Sequence, residues 1–162
     1  MAQSMAFNSV APILMESVSN VTASPSHNLG DRIFINSEEY VYCYNAGGST
    51  CNVGNGVKFI TGASGYSIAV TSLTDVFNPC VGVIKHAQLT TATYGWVMAK
   101  GFLNVVMVSA VTADFQMIGL GLDGKFIQGS FAVAGTGAVV GHVFGINTGA
   151  GGTAYAFIRT GA

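Results

Sequence analysis

The stretch TYGWVMAKG, Thr93 to Gly101, holds the only tryptophan of the chain and sets its large side chains on every second residue. Tyr94, Trp96 and Met98 point one way and Gly95, Val97 and Ala99 the other, which is the period of a β-strand with a bulky face and a smooth one. Within the stretch no charge appears before Lys100. A strand buried on one side carries polar residues on the other, so this one predicts either a place between two apolar layers or contact with another chain. Tyr94 and Trp96 are the predicted core aromatics, because large rings dominate core energetics.

Strand patterns continue on both sides of it. Residues 31–44, DRIFINSEEYVYCY, predict two strands joined at Asn36 and Ser37, the second placing Tyr40, Tyr42 and Tyr44 on one face. Further short runs begin near residues 57, 65, 80, 94, 102, 115, 124, 139 and 153, with Gly, Asn, Asp and Thr filling the joins. No window carries a capped 3.6-residue period, so no long helix is expected. Short strands with turns about ten residues apart predict an all-β fold, a compact antiparallel β-barrel or β-sandwich. Gly101, between two strand-like runs, suits a bulge or a barrel corner. The segments from Val81 and from Val143 share one design, a short β run, a Thr/Gly/Ala loop and an aromatic strand ending in Gly, and both predict hairpins.

At 162 residues the chain has room for one core. Met1 to Asn28 holds Pro12, Pro25, several Ser and Asn and no sustained alternation, so residues 1–28 predict an extended N-terminal arm and 29–162 a single all-β domain. The arm's apolar residues Met5, Phe7, Val10, Ile13, Leu14 and Met15 have no periodic partner within it. They are the candidates for contact with a neighbouring subunit or another protein, since an extended segment can add a strand to a sheet edge. Folding back on the chain's own β body is the alternative.

Charged residues make up 8% of the chain where a soluble domain has about a quarter, and 22 residues are glycine. So little charge gives weak protection against self-association and predicts a chain that works inside an assembly; a monomer solubilised by its many Thr, Ser, Asn and Gly residues is the alternative. No uninterrupted apolar span of about 20 residues is present, because Asn104, Asp114 and Gln116 break the most apolar run, and no membrane partner is expected. The first basic residue is Arg32, so the N-terminus lacks the positive start of a secretory signal and synthesis in the cytosol is expected. A net charge of −1 with scattered lysines predicts no nucleic-acid partner.

No constellation for catalysis, a metal or a cofactor emerges. GLGLDG, Gly119 to Gly124, matches GxGxxG literally, but no helix follows and Asp123-Gly124 predicts a two-residue hairpin turn. Cys43, Cys51 and Cys80 match no zinc spacing and read as buried free thiols; a Cys43–Cys51 bridge would run against cytosolic synthesis. His27 falls in a loop, and His86 and His142 in strand runs. Cys80 and His86, six residues apart on one strand, would be about 20 Å from each other, far beyond the reach of a nucleophile and its base. No catalytic residue is assigned.

The segments LGDRIFINSEEYVYCYNAGG, FNPCVGVIKHA, ATYGWVMAKGFLNVVM and VVGHVFGINTGAGGTAYAFIRTG, in that order, resemble the small head-decoration or capsid cement proteins of tailed bacteriophages. The likeness covers roughly residues 29–162. It implies an all-β virion protein, commonly a homotrimer, assembled in the host cytoplasm onto the outer surface of the capsid. Its partner would be the major capsid protein, and its task to tie capsomers together without cofactor or catalysis. The three cysteines and the arm depart from that pattern and leave the mode of attachment open. A receptor- or glycan-binding domain of a head fibre is the alternative. It calls for exposed aromatic and Asn/Asp clusters in loops, of which the 45–55 loop, NAGGSTCNVGN, has the polar part.

Overall fold

The computed structural model of the chain describes residues 18–60, 65–70, 80–108, 110–111, 115–128, 139–145 and 152–160. Within them the chain is all-β, with ten strands and one short 3-10 turn. The strands are β1 (Arg32–Ile35), β2 (Glu38–Asn45), β3 (Gly56–Phe59), β4 (Ser67–Val70), β5 (Cys80–Val83), β6 (Tyr94–Val106), β7 (Met117–Leu120), β8 (Phe126–Gln128), β9 (Val139–Val143) and β10 (Thr153–Arg159). Among the described residues no helix is long and apolar enough to cross a membrane.

Five strands close a barrel. The order β2-β4-β3-β5-β6 returns to its start because β6 also pairs with β2. The fold is therefore a barrel rather than a sandwich. Its ladders are antiparallel except that β2 and β4 run parallel, Tyr44 opposite Ser67 and Asn45 opposite Ile68. The barrel interior takes the small and branched side chains: Val41 and Cys43 from β2, Val57 from β3, Ile68 from β4, Val81 from β5, Val97 and Ala99 from β6. Leu89, Ile84 and Cys51, from the connecting segments, belong to the same buried cluster.

Tyr40, Tyr42 and Tyr44 face Met98, Trp96 and Tyr94 across the β2–β6 ladder, on the opposite side of the barrel wall. Rings of that volume cannot share a five-strand interior with the aliphatic set, so they lie outside it, where Tyr40, Tyr42, Trp96 and Met98 are buried and Tyr44 and Tyr94 half-buried. Trp96 is 4% exposed and Tyr94 is partly buried against the same cluster. This strand thus has two apolar faces because both are covered within one chain. One cover is the segment before β1. Thr22 bridges Tyr94, the Ser26 amide donates to the Tyr42 hydroxyl at 3.1 Å, and the His27 ring sits 5.2 Å from Tyr42 and 5.1 Å from Trp96.

The runs predicted separately from 94 and 102 form one strand, bent by a bulge. Tyr40 faces Met98 while Glu39 faces Lys100, so Ala99 has no opposite residue. The extra residue shifts the alternation: even positions Trp96 and Met98 join the same buried cluster as odd positions Leu103, Val105 and Met107. Gly101 follows the bulge at φ 145°, and a Cβ there would lie 2.9 Å from Glu38 Cγ and 3.0 Å from Met98 Sδ. Beyond the bulge β6 leaves the barrel and begins a second layer, β6-β10-β9-β7-β8. Met107 bridges Phe126 and the Val108 amide donates to the Phe126 carbonyl at 2.8 Å, so this layer curls back onto the end of β6. Its concave face buries Ile118, Phe126, Val143, Ala154, Ala156 and Ile158.

Turn chemistry follows the sequence in one hairpin and departs from it in another. Asn36 and Ser37 adopt φ 49° and 68°, the paired left-handed conformation of a two-residue hairpin. The β7–β8 hairpin has a three-residue tip, Leu122–Gly124, closed by a 2.7 Å bond from the Gly121 amide to the Lys125 carbonyl, rather than two residues. The two segments of shared design are both hairpins, β5–β6 and β9–β10.

Candidate interaction surface

The convex face of the second layer is aromatic. The same alternation that buries Leu103, Ala156 and Val143 turns Phe102, Phe157, Tyr155 and Phe144 outward. Register aligns them in rows: Phe102 with Phe157, then His142, then Met117. Phe102 is 5.7 Å from Tyr155 with the rings nearly parallel, 4.9 Å from Phe157 and 5.7 Å from Phe144. Phe144 meets Phe115 edge-on at 5.3 Å. Phe115 is 71% exposed, Tyr155 48% and Phe102 43%, with Met117 and Phe144 close to 40%. The exposed residues Lys100, Arg159, Asn104 and His142 lie on the same face. A contiguous apolar patch with polar residues at its margin marks an interaction site.

A cleft of about 560 Å³ opens at the β6 margin of this face. Phe102, Leu103, Tyr155 and Val53 supply its apolar lining, and Glu38, Lys85 and Asn104 its polar side. Glu38 is held from two directions: Lys85 Nζ pairs with one carboxylate oxygen and the Tyr40 hydroxyl donates to the other at 2.5 Å. With its hydroxyl hydrogen directed at Glu38, Tyr40 accepts from His86 Nε2 at 2.8 Å. Burial pushes the Glu38 pKa up, but the bonds from Lys85 and Tyr40 outweigh it and leave the carboxyl below its usual value. Burial and then the Lys85 charge push the His86 pKa down. The network is self-satisfied, so it shapes one wall of the cleft.

The arm residues Met5, Phe7, Val10, Ile13, Leu14 and Met15 lie outside the described residues. His86 lies in a bend after β5, because the strand ends at Val83, and not within a strand as its surroundings suggested. All three cysteines are free and buried. Among the described residues no group of three or more His, Cys, Asp or Glu is placed to hold a metal ion. The polar 45–55 loop is used internally. Buried Asn45 donates its side-chain amide to the carbonyls of Ser49 and Leu89, at 3.0 and 2.8 Å, and accepts from the Gly47 amide at 3.0 Å; the Asn52 amide donates to Asn55 Oδ1 at 3.0 Å.

The sequence alone does not single out the aromatic face. Its one signal is that TAYAFIR places Tyr155 and Phe157 opposite a uniformly aliphatic set, Ala154, Ala156 and Ile158, and a core layer takes only one of two apolar faces.

No protein-family model matches the chain, and no curated protein sequence matches it. A solved structure is similar to it: the crystal structure of the N base of the head fibre gp8.5 of bacteriophage phi29, at a TM-score of 0.51 and 12% identity, covering 74% of this chain and 94% of that one. At that identity the likeness is one of fold.

Proposed function

We propose that this chain is a structural protein of a bacteriophage head, carried on the outer capsid surface as a homotrimeric decoration or cement protein that holds capsomer contacts through the major capsid protein. The observation that carries the head-protein part of this reading is the likeness of fold to nearly the whole of a head-fibre base; the decoration role and the trimer come from the resemblance in sequence. The charge-poor composition and the exposed aromatic face agree with a chain that spends its life in an assembly. The role is one of binding, with no catalysis, cofactor, nucleic acid or membrane. The test is to mix purified protein with heads lacking it and sediment them. Saturable binding that raises the temperature at which heads rupture is expected, and no binding at micromolar protein sinks the proposal.

The structural neighbour favours the second reading, a receptor- or glycan-binding domain of a head fibre. Heads that take up the protein at saturation yet rupture at an unchanged temperature would select it over the cement role.

A further inference from the structure

The aromatic face ends in two unlike margins. At the β7 margin Phe115 projects, the most exposed large apolar side chain among the described residues. Its φ is 59°, a region that a bulky side chain occupies only when its surroundings impose it. Here the Phe115 amide donates to the Val143 carbonyl at 2.8 Å and the ring braces edge-on against Phe144. At the β6 margin lies the cleft walled by Val53, Phe102, Leu103 and Tyr155. Within one chain the Phe144 ring stands between the two, 5.3 Å from Phe115 and 5.7 Å from Phe102. A second chain can bring its Phe115 to the cleft directly.

We propose that Phe115 of one copy seats in the Phe102–Tyr155 cleft of the next, and that this head-to-tail contact closes the copies into a ring. The inference rests on the homotrimer of the preceding reading and supplies the contact for it. A heterologous contact joins unlike patches and ends in a ring when its rotation closes. With about 200 Å² for each large side chain, the five exposed apolar residues of this face leave on the order of 500 Å² open, more than half of the roughly 800 Å² that one partner brings to a standard interface. Lys100, Asn104 and Arg159 supply a polar rim on the β6 and β10 side, and the aromatics with Met117 the apolar part, as in protein interfaces generally. The occupant is a second copy because the face is open as soon as the chain folds, and 8% charged residues give weak protection against self-association. A partner made at the same place and in equal number is another copy of the chain.

The test is sedimentation of the full-length protein as wild type, Phe115→Asn, Tyr155→Arg, and an equimolar mixture of the two variants. Asparagine tolerates the left-handed backbone at position 115, and Tyr155 is half exposed, so both variants should melt like the wild type. Val53→Arg is a second cleft variant should Tyr155→Arg fail to fold. The wild type is expected to sediment as three chains and each variant as one. The mixture should give a two-chain species, because it holds one intact ring and one intact cleft. A single-chain wild type, a variant that stays trimeric, or a mixture that stays single-chain overturns the proposal. Wild type that sediments as one chain yet coats heads removes this contact and leaves the head-surface role standing; a ring that ignores heads does the reverse.

Discussion

The Trp96 ring stands edge-on to the ring of Tyr42, its partner across the β2–β6 ladder, with centroids 5.1 Å apart and planes at 61°. Both side chains are buried, and Trp96 Nε1 has no acceptor among the described residues. Trp96→Ala should therefore cost about 3–5 kcal/mol in urea unfolding. Trp96→Phe should cost clearly less, since it keeps an aromatic edge and gives up no hydrogen bond. An alanine variant with wild-type stability would remove this pair from the core's energetics.

The segment before β1 covers that pair, which predicts a difference between two truncations. A chain beginning at Leu29 loses the Thr22–Tyr94 bridge, the Ser26 contact with Tyr42 and the His27 ring, whereas one beginning at Val18 keeps all three. The shorter chain should melt at a lower temperature, with tryptophan emission shifted to the red. Superimposable melts and spectra would show that residues 18–28 add nothing to the body.

Stability should fall with pH in two stages. His86 and Glu38 both have folded pKa values below their ordinary ones, so in each case the unfolded chain binds protons first and acid favours unfolding. The His86 contribution is complete above about pH 6.5 and is lost as pH falls through its lower folded value; that of Glu38 is complete above about pH 4.3 and is lost below it. Melting temperature should be level from pH 7 to 8 and then decline in those two windows. His86→Gln should flatten the upper one, and a variant that retains the full decline assigns it to another group.

The three thiols should be silent in the native state. Burial pushes Cys51 and Cys80 up to about 12 and raises Cys43 as well, so the reactive thiolate is scarce at neutral pH and enclosed besides. An aromatic disulfide reagent at pH 8 should titrate none in native protein and all three in guanidinium. Rapid reaction of a native thiol would place it at the surface.

Local chemistry made a good part of the fold legible. The Asn36-Ser37 turn, the period-2 runs, the want of a helical period and the buried cysteines each follow from a few neighbouring residues, and together they give an all-β chain with its hairpins in place. Three features did not follow. Closure of the barrel needs β2 to meet both β4, in parallel, and β6, strands far along the chain whose pairing no local signal encodes. The bulge at Ala99 moves burial from even to odd positions within one strand, so the YGWVMAKG and FLNVVMVS runs read as two. The outward turn of Phe102, Tyr155 and Phe144 was hidden because alternation says which side chains share a face and is silent on which face another layer covers. That choice belongs to the packing of whole layers, where the aliphatic set Leu103, Ala156 and Val143 fills the concave side and leaves the rings to solvent or to a partner.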